Sequence, residues 1–228
     1  MHPQKKDENN DPADGLGGSL IDSILNSRAV ACAATITDVA LDKLTTVAVL
    51  SEIPVLDLAY KVYGGITMIR NDLFLKKLIY FLSGCDKKDF QEKTELEQRL
   101  EMDLAFRNKV GEDLLLLLER QDHFEKAPLL GKVFAARLRE EINEDIFFRL
   151  AGAINNASII DLRGLENSYS KIKSYVPTPG KLFSDTLDDD ICQSLYNVGL
   201  IRAEAYIEDT YRPNELGSHL IQVMRNNQ

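Results

Sequence analysis

The chain has 228 residues, a formal net charge of −9 and 44% apolar residues. That is enough apolar material for a sizeable core without covalent staples, and a net-negative surface repels phosphate, which disfavours non-specific DNA or RNA binding. Cys32, Cys85 and Cys192 lie far apart with no Cys-x-x-Cys pair. Such spacing reads as reduced thiols in a cytoplasmic protein rather than as a secreted disulfide scaffold.

Residues 1–18 are polar, rich in Gly, Asn and Asp, and without periodicity. They read as a disordered tail, with no apolar run behind Lys5-Lys6 to make a signal peptide. Ser19 is expected to open a short helix over Leu20–Leu25, followed by an apolar, alanine-rich helix over Arg28–Val49. Pro54 suits a first helical position, and a helical pattern then runs from Val55 to Leu82 with a bend at Gly64-Gly65 and a stop at Gly84. Apolar residues occupy most faces of this stretch, as in a helix central to a bundle or one touching lipid. The longest uncharged runs, Ala29–Thr37 and Val62–Ile69, fall far short of the ~20 residues of a spanning helix.

Further helices are predicted over Lys88–Leu100, Leu104–Gln121, Phe124–Glu140, Asn143–Asn155 and Ser158–Ser174. The run Leu114 to Leu118 calls for packing on more than one side. Asn143 is an N-cap, and Ser158 with Asp161 follows the capping pattern. Tyr175–Lys181 holds two prolines and a glycine and reads as a linker. Behind it come a helix capped by Asp188-Asp189-Asp190 and ending at Gly199, a strand over Leu200–Ile207, a turn near Asp209 and a last helix over Pro213–Met224. The expected fold is therefore mainly α: a multi-helix bundle at 19–174, a linker at 175–181 and a small winged-helix-like unit at 182–228.

No catalytic signature is present. A Gly-x-Ser-x-Gly elbow, both phosphate-loop patterns and a Cys near a His are all missing. Glu119 and His123 stand four apart and would share a helix face as part of a metal site, but no matching pair supports them, so neither metal nor cofactor is expected. Basic residues gather at Arg70, Lys76, Lys77, Lys87 and Lys88, with Arg70 and Lys77 on one helical face. Arg70, Lys76 and Lys77 are the candidate interaction residues, set against the plainer role of apolar stems covering the helix edge. In the terminal unit the helix before Gly199 presents carboxylates, which suits protein contact better than DNA readout.

Ile53-Pro54-Val55, Gly64-Gly65 and Ile69-Arg70-Asn71-Asp72-Leu73-Phe74-Leu75-Lys76-Lys77 together resemble a group of short uncharacterised bacterial helical proteins. That group has an Ile-Pro-Val/Ile entry and an Ile-Arg-Asp-Arg-Leu-Phe-Leu-Lys-Lys exit; Asn71-Asp72 stands here for Asp-Arg, with one basic residue lost. Lys126-Ala-Pro-Leu-Leu-Gly-Lys-Val-Phe and the closing Gly-Leu-Ile … Leu-Gly follow in the same order. In layout the chain is also similar to the Abi-alpha abortive-infection group. The resemblance implies a bacterial protein of a phage-defence locus and brings no catalytic residues. The expected role is a non-enzymatic adaptor or sensor whose partner is another protein. The alternative is a membrane-active effector that inserts residues 28–82 when triggered, against which stand charges such as Asp38, Asp57 and Lys61.

Overall fold

The computed structural model describes residues 12–38, 52–63, 68–85, 93–173, 187–203 and 211–225. Eleven α-helices and one two-stranded sheet occur among them: α1 Pro12–Leu25, α2 Ser27–Asp38, α3 Pro54–Tyr63, α4 Met68–Gly84, α5 Glu95–Met102, α6 Leu104–Glu119, a 3-10 turn Phe124–Lys126, α7 Ala127–Leu138, α8 Glu144–Asn156, α9 Ile159–Lys173, α10 Asp189–Asn197, β1 Ile201–Ala203, β2 Tyr211–Pro213 and α11 Glu215–Arg225. The mainly α expectation holds.

Short polar side chains fix several helix starts. Thr94, Asp103, Asn143 and Ser158 each accept a backbone N–H three residues on, at 2.9–3.2 Å, which satisfies a donor the helix itself leaves open. Pro54 opens α3 and Gly84 closes α4 as their residue types suggest. Four of the five leucines from Leu114 to Leu118 are buried or half-buried, and Leu116 alone faces out, so α6 is covered on more than one side. The Gly64-Gly65 bend and the Tyr175–Lys181 linker lie outside the described residues.

The tail expectation fails at its inner end. Residues 12–18 belong to α1, and their glycines mark a helix crossing rather than disorder. α1 packs on α6 so closely that a Cβ on Gly111 would stand 2.0 Å from the Gly17 carbonyl oxygen, and one on Gly17 2.8 Å from that of Asn108. Arg107 ties the same joint by an ion pair to Asp22 at 2.7 Å. A second crossing, α4 on α7, uses the same device: Cβ atoms on Gly84 and Gly131 would meet the Pro128 and Phe81 carbonyl oxygens at 2.0 and 2.1 Å. Only a residue without Cβ lets two backbones come this near.

The terminal unit is a helix, a two-stranded antiparallel hairpin and a helix, with Ile201 opposite Pro213 and Ala203 opposite Tyr211. Pro213 ends β2 instead of opening the last helix, because Asn214 takes the capping place and accepts the Gly217 N–H at 2.8 Å. Gly199, at φ 77°, makes the left-handed turn out of α10. α11 packs on α7, α8 and α9, and its buried Leu220, Ile221 and Met224 join a core continuous with that of the bundle.

Candidate functional site

Two places combine unusual side chains with a defined geometry. The first is the end of α6. Lys77 reaches across from α4 and donates to the carbonyl oxygens of Glu119 at 3.1 Å and Gln121 at 2.6 Å, capping the negative end of the helix dipole. Burial lowers the pKa of its ammonium, while the Glu119 and Asp122 carboxylates pull it back up. Asn155 of α8 donates to the Leu117 carbonyl at 3.0 Å. Lys126, only 1% exposed, pairs with Asp122 at 2.7 Å and donates to the Asn155 carbonyl at 3.2 Å. The hydrogen bond from Lys126 holds the Asp122 carboxyl below its ordinary range, against a smaller opposing effect of burial.

This cluster relocates the sequence candidates. Lys77 is turned under a helix end, so its head group is not part of a basic surface stripe. Lys76 is half-buried and makes no ion pair among the described residues. Arg70 lies in α4, with its side chain outside the described residues. Glu119 and His123 do not share a helix: α6 ends at Glu119, and His123 caps the 3-10 turn by accepting the Glu125 N–H at 3.3 Å on Nδ1. Among the described residues no group of three or more potential metal ligands gathers. The Cys192 thiol is pushed up to about 11, first by burial and then by Asp189 and Asp188; a protonated thiol of this kind is a poor nucleophile at neutral pH.

The second place is a shallow groove. α6 supplies Phe106, Lys109, Val110 and Asp113 to one wall, and α8 supplies Glu144, Phe147 and Phe148 to the other. Phe134 and Arg137 of α7 line it between them, and Leu96 of α5 joins them. The enclosed volume is about 80 Å³, well under the roughly 300–1,000 Å³ of small-molecule sites. An aromatic row climbs from the core to its lip. Phe81 meets Phe134 at 6.4 Å, Phe134 meets Phe147 at 5.7 Å and Phe147 meets Phe148 at 5.1 Å between ring centroids. Phe81, Phe134 and Phe147 are buried, whereas Phe148 is 43% exposed. On the opposite wall the Arg99 guanidinium sits 3.8 Å over the Phe106 ring, a cation–π contact. Beside it, at the α5–α6 corner, Met102 and Leu104 are also exposed.

The sequence candidates do not line this groove. A usable signal for it was the pair Phe147-Phe148. The buried stripe of α8 runs Phe147, Leu150, Ala151, Ile154, and Phe148 falls off that stripe.

No protein-family model, curated protein or solved structure matches the chain. Among the described residues no helix is long and apolar enough to cross a membrane.

Proposed function

We propose that this chain is a non-enzymatic protein-interaction module, an adaptor or sensor acting in the cytoplasm, and that the groove between α6 and α8 is its docking surface. The observation that carries the proposal is the aromatic row ending in the exposed Phe148 ring. An aromatic held from behind by packed rings is a rigid anchor, and rigid aromatics dominate the binding energy of protein interfaces. The small enclosed volume favours a macromolecular occupant over a metabolite. We read the hairpin and its flanking helices as a winged-helix-like unit used for protein contact, since Asp188, Asp189 and Asp190 at the start of α10 are exposed and would repel a phosphate backbone. We extend the proposal to anti-phage defence, for which the support is the likeness in layout to abortive-infection proteins.

The test is a photo-reactive phenylalanine analogue at position 148, irradiated in the native bacterium with and without phage. A discrete covalent adduct with another protein is expected, and the same analogue at Glu166 of α9, a groove-remote position, should give none. Absence of any adduct at 148, with movement of the protein to the membrane fraction on infection, would end the adaptor reading and favour membrane insertion of residues 28–82.

A further inference from the structure

The groove also constrains the shape of what fills it, an inference that rests on the docking role just proposed. Its walls are helices. Past the first turns their backbone N–H and C=O groups are bonded within each helix, and at those turns Asp103 and Glu140 side chains take the Phe106 and Leu96 N–H groups, so the walls offer no ladder to an extended peptide. An occupant must satisfy its own backbone. The wall from Phe106 to Asp113 covers two turns, roughly 12 Å of axis. Its apolar positions, Phe106 and Val110, stand four apart, as do Glu144 and Phe148 across the groove.

The charges on the rim narrow the chemistry further. Lys109, Asp113, Arg137 and Glu144 line the groove, and none of the four makes an ion pair among the described residues. Lys109 and Asp113 stand one turn apart on the same wall, yet they do not close on each other. A partner that carries both signs beside its apolar stripe meets all four, whereas one of a single sign is repelled by half of them. We infer that the groove takes an amphipathic α-helix of another protein, of about two turns, with apolar residues at i, i+3 or i+4 and i+7 and with both acidic and basic residues flanking them. Phe148 is its anchor.

Two displayed peptide libraries test this on the full chain. One fixes leucines at helical spacing and randomises the flanks over Glu, Lys, Gln and Ala. The other draws on the same residues with the leucines at alternate positions and adds a central proline. Both are panned on the wild type with counter-selection against Phe148→Asp. Peptides from the helical library carrying both charge signs should be enriched, and each should lose about thirtyfold or more in affinity on Phe148→Asp or Val110→Asp, the loss of a hot-spot contact. Reversing Lys109 and Arg137 to Glu should shift the selected peptides toward basic flanks. Enrichment from the alternating library would overturn the helical occupant while leaving the docking role intact. No enrichment from either library, beside a protein adduct at position 148 in cells, would likewise end the helix inference alone; without that adduct both fail. Circular dichroism and size-exclusion elution of Phe148→Asp confirm that the variant is folded.

Discussion

On the face of α6 that carries Gly111 the backbone of α1 lies so near that a single added carbon would strike the Gly17 carbonyl at 2.0 Å. A short way round the same helix, Phe106 and Val110 look into a groove whose far wall belongs to α8. The first face is closed by the removal of side chains, whereas the second keeps apolar ones that are only half-covered, Phe106 by the Arg99 guanidinium. Closing a helix joint through glycine requires the neighbour to be permanent, because a Cβ-free surface has little apolar area to offer a transient partner. Retaining exposed aromatic area has a cost in water that only an occupant relieves. The two faces thus differ in what each asks of its surroundings: one needs a fixed neighbour, and the other leaves apolar surface in water.

Substitutions at each face should separate in the same way. Gly111→Val places its side chain in the α1 backbone and should cost about 3 kcal/mol or more, read as a lowered midpoint in urea. Asp122→Asn, at the end of α6, leaves the Lys126 ammonium buried with one carbonyl acceptor. A loss of about 1–2 kcal/mol is expected, less than for a fully buried pair because Asp122 is 70% exposed. Its pH dependence has a definite sign. The Asp122 carboxyl lies below its ordinary 3.8 in the folded chain, so the contribution is present above that value and is lost as pH falls through the lower folded one. The stability gap between wild type and Asp122→Asn should therefore persist down to about pH 4 and close below it. Lys77→Met removes the cap on Glu119 and Gln121 but keeps the apolar stem, and about 1 kcal/mol should be lost. Phe148→Ser touches only the open face. It should change stability by about 1 kcal/mol or less, the worth of the Phe147 ring contact, while abolishing the adduct or peptide binding described above. A large destabilisation there would mean that Phe148 belongs to the core after all.

Local signals in the sequence were the dependable ones. Pro54, Asn143 and the Ser158–Asp161 pair act within three residues of a helix start, and the structure puts them where those types belong. The glycines at 15–18 misled because composition reports flexibility, whereas the reason for Gly17 is Gly111, a residue with no local relation to it. The contacts of Lys77 were hidden for the same physical reason. Its acceptors, Glu119 and Gln121, are 42 and 44 residues further on, and nothing near Lys77 announces a helix end waiting to be capped. The groove was half legible: Phe148 sits off the buried stripe of α8, but the vacant wall opposite it depends on how α6 and α8 straddle α7. Pro213 shows propensity losing to a neighbour, since Asn214 caps better than proline opens.

Glu140 joins the ends of two helices. At φ 56° it closes α7 in a Schellman turn, with the Glu141 N–H donating to Ala136 and its own N–H to Arg137. Its carboxylate meanwhile accepts the Leu96 N–H at the start of α5, and Thr94 there donates back to the Leu138 carbonyl at 2.7 Å. The first turn of α5 and the last turn of α7 are thereby one cooperative unit. Their amide protons should exchange with solvent at a common rate.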